Sequence, residues 1–182
     1  MARKSKRDWL DAGMEVLAEE GVAALTIDHL ARRLGVTKPS FFHHFAGQAE
    51  YRDALLMRRE EWGMDAIELI PETADEALAV LGRLVDSSPI GTGRPDPGVA
   101  IRSWSTQDSA VGAFVRRVDG QRLQHAEDLL AVVIGDRPRA RVLASMLYAL
   151  VLGCGHVRPP AEHATMLAFY AEFKRLLRAA PR

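Results

Sequence analysis

The run Thr37-Lys38-Pro39-Ser40 follows Leu34-Gly35-Val36 and precedes Phe41-Phe42-His43-His44-Phe45, and it gathers the residue types that read a polyanion. Lys38 and the hydroxyls of Thr37 and Ser40 can donate to phosphate oxygens or base edges, Pro39 can pack on a thymine methyl, and His43 and His44 can reach the nucleic-acid backbone. Other chemistry finds less support. His43 and His44 are adjacent rather than three or four apart, so they do not align as ligands on one helix face, and His156 and His163 flank a loop. There is no Gly-rich phosphate loop and no His-Glu-x-x-His motif, and no nucleophile beside a base or pair of carboxylates stands out. The expectation is a binding protein, without enzymatic activity, cofactor or metal. Cys154 is the single cysteine, so it cannot form an internal disulfide and reads as a buried thiol.

These residues need a scaffold, and the chain offers a helical one. Apolar residues recur at spacings of three and four almost throughout, so the fold class expected is all-α, with about nine helices. A first helix places Trp9, Leu10, Gly13, Met14, Leu17 and Ala18 on one face and closes at Gly21, with Gly13 costing about 1 kcal/mol relative to alanine inside it. A second short helix starts at Thr26, whose hydroxyl can cap it, and ends at Gly35. A third begins after Thr37, with Pro39 in its first turn, and carries Phe41, Phe42 and Phe45 until Gly47 breaks it. Two short helices joined by Leu34-Gly35-Val36-Thr37 match a helix-turn-helix in which Leu30, Ala31, Val36 and Phe41 lock the pair and the opening of the third helix faces outward. The same pattern is also satisfied by two short helices that merely pack.

Farther along, helices are expected from Ala49 to about Leu69, over Glu72 to Asp86, from Val99 to Ser105 and from Val111 to Ile134. Two strongly apolar ones follow, Arg139 to Leu152 and Ala161 to Leu177. The segment Ser87 to Gly98 reads as a mobile loop, and Gly153 to Pro160 as a separator. With 182 residues the chain can bury one substantial core and a small second one. Lys plus Arg and Asp plus Glu number 24 each, so any affinity for a polyanion must be local, and the basic start Arg3, Lys4, Lys6 and Arg7 is either a phosphate-binding arm or a solvated terminus. No long apolar run or signal-like start is present, which leads to the expectation of a cytoplasmic protein without membrane association.

Trp9 to Gly21, then Leu25-Thr26-Ile27-Asp28-His29-Leu30-Ala31, then Leu34 to Phe45 resemble, in order and spacing, the DNA-binding domain of the TetR family. The resemblance covers roughly the first quarter of the chain. It implies a helix-turn-helix DNA-binding domain over residues 1–47 and a helical effector-binding and dimerisation domain over residues 48–182. The function implied is a homodimeric repressor, released from a palindromic DNA operator by a small-molecule effector. Carried over by position, Thr26 caps the second helix and touches a phosphate, while Thr37, Lys38, Pro39 and Ser40 take recognition-helix contact positions. Phe42 and His44 stand where the family usually has tyrosines, so Phe42 lacks the hydroxyl that would donate to a phosphate. Gln48 and Ala49 replace a common lysine and glutamate.

The last two helices offer more apolar surface than one core needs, so Leu143, Leu147, Leu150, Leu167, Tyr170, Phe173 and Leu177 are expected at a dimer interface. For a ligand pocket the candidates are Trp62, Trp104, Phe114 and Tyr148 as aromatic lining, with Arg102 and His125 to orient a polar group. A protein-interaction module that has lost DNA binding is the competing reading; it draws on Phe42, Gln48 and the zero net charge.

Overall fold

Ser5 starts the first helix by a reciprocal pair of hydrogen bonds: the Asp8 amide donates to Ser5 Oγ at 3.2 Å and the Ser5 amide donates to Asp8 Oδ2 at 2.7 Å. The Ser5 amide, with the Ser5 hydroxyl second, holds the Asp8 carboxyl below its ordinary range. Gly21 ends the helix at a φ of 81°, its amide reaching back to Val16 O and Leu17 O. The computed structural model describes residues 4–64, 70–93, 96–157 and 159–179, with the side chains of 61–64 outside that description.

Nine α-helices and one 3-10 turn, Val22–Ala24, occur among the described residues, and no strand. They are α1 (Lys6–Glu20), α2 (Ile27–Leu34), α3 (Pro39–Phe42), α4 (Gln48–Met64), α5 (Ala74–Asp86), α6 (Pro97–Trp104), α7 (Ser109–Ile134), α8 (Arg137–His156) and α9 (His163–Ala179). Three differ from the periodicity reading. The α3 helix is only four residues long, because His43 and His44 turn the chain so that Phe45 can enter the core. The α6 helix starts at Pro97, inside the expected loop: Asp96 caps it by accepting from the Gly98 amide at 2.8 Å, and proline at the first helical position loses no hydrogen bond. The α8 helix continues through Gly153 to His156 because Cys154 and Gly155 lie buried against neighbouring helices, and that packing outweighs two weak helix formers.

The chain divides into two compact units, Met1–Met64 with Pro95–Arg116, and Asp65–Arg94 with Arg117–Arg182. The packing therefore does not follow the boundary expected between residues 47 and 48. In the first unit Tyr51, Leu55 and Leu56 of α4 are buried in one core with Trp9, Met14 and Leu17 of α1, Leu30 of α2, and Phe41 and Phe45. Ile101 of α6 and Val111 of α7 join the same core, and Arg52 of α4 donates to Asp108 Oδ2 at 3.1 Å just before α7. Phe41 is the centre of an aromatic cluster, with ring centroids 5.4 Å from Trp9, 5.0 Å from Phe45 and 5.4 Å from Tyr51.

In the second unit α5, the later part of α7, α8 and α9 enclose Leu78, Leu81, Leu129, Leu130, Ala144, Leu147, Met166 and Tyr170. The loop expected to be mobile is fastened here. The His163 amide donates to Gly91 O at 3.2 Å, and Gly91 has a φ of 71° with the Ala161 carbonyl oxygen 2.3 Å from where a β-carbon would sit. Only glycine fits that approach.

Gly13, the costly helix glycine of α1, has a packing reason. A β-carbon there would lie 2.0 Å from the Tyr51 hydroxyl, and that hydroxyl donates to Trp9 O at 2.8 Å, one turn earlier in the same helix. Burial raises the Tyr51 pKa, so the phenol stays protonated and remains a donor. Gly13→Ala should destabilise the protein by about 1 to 3 kcal/mol in urea unfolding, since Tyr51 is held on all sides and cannot retreat. In a Tyr51→Phe background the same change should cost less, because the closest clash has been removed and alanine's helix preference then counts. Equal costs in both backgrounds would show that Tyr51 is not the reason for the glycine.

Candidate nucleic-acid interface

Caps, a turn and packing present α3. Thr26 Oγ1 accepts from the His29 amide at 3.2 Å and starts α2. Gly35 takes left-handed angles, φ 67° and ψ 33°, while the Val36 amide donates to Ala31 O at 3.0 Å, so α2 stops sharply and the chain turns away. The buried side chains of Leu30, Ala31 and Phe41 then lock α2 to α3, with Val36 packed on them. The opposite face is open.

Thr37, Lys38, Pro39 and His43 are exposed on that face, Ser40 is half-buried, and Phe42 is 53% exposed with its ring edge-on to Phe41. Thr26 is exposed as well. Of the expected DNA-contact residues, all but Ser40 and His44 are thus exposed, and His44 is engaged elsewhere. Its ring is half-buried and Nε2 donates to Lys4 O at 2.9 Å, so that nitrogen is committed to holding the chain start.

The basic start of the chain is not a loose arm at its later residues, which are exposed on a helix. Lys6 and Arg7 belong to α1: Lys6 pairs with Glu50 at 3.5 Å and stands 5.0 Å over the Phe45 ring, and Arg7 pairs with Asp11 at 3.5 Å. Arg3 lies outside the described residues. Glu50 also accepts from the Ala46 amide at 2.7 Å, which keeps its carboxyl below the ordinary range and orders the turn between α3 and α4.

Two features near α3 were not found by sequence reasoning. Arg33 is engaged by Glu15, Glu19 and Glu20 at 3.3, 2.7 and 3.4 Å, and this binds α2 to the end of α1 and spends its charge. Lys38 pairs with Asp28, Nζ to Oδ2 at 3.0 Å, across from the first turn of α2. Only spatial proximity joins positions 28 and 38, so no spacing rule could have signalled the pair. Among the described residues Arg32, exposed in the last turn of α2, makes no recorded ion pair.

The proposed ligand residues are not gathered in one unit. Arg102, Trp104 and Phe114 belong to the first unit, where Trp104 and Phe114 pack on the N-terminal core, and the side chain of Trp62 lies outside the described residues. His125 and Tyr148 belong to the second; His125 is buried, and Tyr148 donates to Asp119 Oδ1 at 2.7 Å. The interface expectation needs correction at two positions. Leu147 and Tyr170 are 5% and 4% exposed in the second unit's own core, where Tyr170 donates to Leu78 O. Leu143, Leu167, Phe173 and Leu177 are partly buried against that core, whereas Val142, Met146 and Leu150 of α8 and Phe169 and Leu176 of α9 are the exposed apolar residues. Helical phase decides this: a stripe wide enough for two partners shows its middle to the subunit core and its edge to solvent.

Comparison with known proteins agrees with the geometry of α1 to α4. Residues 10–54 match the model for bacterial regulatory proteins of the tetR family. The HTH-type transcriptional regulator TtgW of Pseudomonas putida is 36% identical over 59 residues, which are 32% of this chain and 44% of that protein. The class D tetracycline repressor protein of Escherichia coli is 30% identical over 82 residues, 45% of this chain and 33% of the repressor. The chain thus matches less than half the length of either. A transcriptional regulator from Saccharomonospora viridis, solved in complex with choline, superposes with a TM-score of 0.76 at 19% identity over 93% of this chain and 95% of that one, a likeness of fold. Residues 10–54 thus resemble the DNA-binding segment of bacterial regulatory proteins of the tetR family, and the chain shares an all-α fold along nearly its whole length with a solved transcriptional regulator.

Proposed function

We propose that the chain is a DNA-binding transcriptional regulator, a homodimeric repressor released from a palindromic operator by a small-molecule effector. The observation that carries this is the exposed polar face Thr37-Lys38-Pro39-Ser40, raised on a bend that Gly35 permits and backed by a buried aromatic cluster. A short helix so presented fits the major groove, where its first residues reach base edges. Arg32 and His43 add polar groups within reach of phosphates on either side.

Dimerisation is supported by the exposed apolar stripe of α8 and α9, in which Val142 and Met146 are 60% and 58% exposed. A second copy of the same stripe would remove both from water and bring two α3 helices into one two-fold assembly, as a palindromic operator demands. The effector would act by binding one spacing of the two heads better than the other, for which a coupling of about 1 to 3 kcal/mol suffices. His125 and the Tyr148–Asp119 pair are the polar groups within the second unit suited to orient such a ligand, and the structurally similar regulator from Saccharomonospora viridis was solved with choline.

Duplex carrying the region upstream of the coding sequence tests the DNA reading. Affinity should fall steeply with salt, about 0.9 in log-log slope for each phosphate neutralised, and Lys38→Ala should weaken binding. A flat salt response would instead favour a protein-interaction module. Sedimentation equilibrium tests the assembly. The wild-type chain should behave as a dimer at micromolar concentration and Met146→Glu as a folded monomer by circular dichroism; a monomeric wild type would overturn it.

A further inference from the structure

The surface assigned to DNA carries a carboxylate. Asp28 stands exposed in the first turn of α2 with its Oδ2 3.0 Å from Lys38 Nζ, and the two side chains are 65% and 51% exposed. A pair so open to water contributes little to folding. Beside a duplex it has a larger consequence, because a carboxylate that meets phosphate is repelled, whereas its remaining lone pairs can accept from a donor on a base edge. In the major groove the donors are the amino groups of cytosine and adenine.

The neighbouring ammonium narrows the choice. A G·C pair presents guanine N7 and O6, two acceptors side by side, and then the cytosine amino group. An A·T pair presents its amino group between two acceptors, so a carboxylate placed there would also face a lone pair. A cation and an anion held 3.0 Å apart complement two acceptors followed by a donor. We infer that Asp28 and Lys38 read one G·C pair together: Lys38 donates to guanine O6 and N7, and Asp28 accepts from the cytosine amino group, which makes Asp28 a specificity-determining residue. The pairing also discourages Lys38 from binding phosphate indiscriminately, since its charge is half-answered before DNA arrives. This inference rests on the DNA-binding reading above and adds the base pair that is read.

In vitro selection from a random duplex library, with the full wild-type chain, Asp28→Ala, Asp28→Asn and Lys38→Ala, tests it. Asp28 is exposed, so its variants should keep their fold, which thermal unfolding checks. The wild type should enrich sites with an invariant G·C pair in each half-site. Asp28→Ala and Lys38→Ala should each lose preference at that same pair, by roughly tenfold in relative affinity, while the rest of the site is retained. Asp28→Asn should shift the preference there toward A·T, because an amide matches adenine N6 and N7. An Asp28→Ala motif identical to that of the wild type, with affinity raised uniformly, would overturn the assignment and leave Asp28 as a mere phosphate repellent. No enrichment by the folded wild type would be a different failure, that of DNA binding itself, and the assignment would fall with it.

Discussion

The close approach of α4 to α1 is the contact on which the placement of α3 depends. Gly13 has no side chain, so the Tyr51 ring reaches the α1 backbone and its hydroxyl adds a hydrogen bond to the Trp9 carbonyl. Tyr51 in turn packs against Phe41 and Phe45, and Phe41 holds α3 in place against Trp9. A four-residue helix cannot be stable alone. Here it is carried by an aromatic cluster whose far wall is a tyrosine admitted by a glycine. The second unit repeats the device: Gly82 of α5 leaves room for Tyr170 of α9, whose hydroxyl donates to the carbonyl of Leu78, again one turn before the glycine.

Electrostatics divides the cations of the first unit into those spent on folding and those left for a ligand. Arg33, Lys6 and Arg58 are held by acids of neighbouring helices and so join them, while Arg7 pairs with Asp11 within α1. Lys38 and Arg32 remain on the α2–α3 surface, the former shared with Asp28. A chain with no net charge can therefore still carry local positive charge, because several of its cations are answered by acids elsewhere in the fold.

The periodicity of apolar residues was enough to establish the helical class, the cap at Thr26, the stop at Gly21 and the turn at Gly35. These are local matters: each depends on residues within one or two turns, whose side-chain chemistry acts on neighbouring amides. The polar run Thr37 to Ser40 was legible as the opening of the next helix for the same reason, since it follows the turn at Gly35 and lies between the apolar Leu30-Ala31 pair and Phe41.

What the tertiary structure alone decided is every relation between residues distant in the chain. Sequence could flag Gly13 as unfavourable but not name Tyr51 as its beneficiary, and it could not pair Lys38 with Asp28 or commit His44 to the Lys4 carbonyl. It could tell that α8 and α9 carry surplus apolar surface, yet not that Leu147 and Tyr170 turn inward while Val142, Met146 and Phe169 turn out. Helical phase relative to a neighbour is set by how whole helices pack, and packing weighs many side chains at once, whereas caps and turns are chosen by a few adjacent residues.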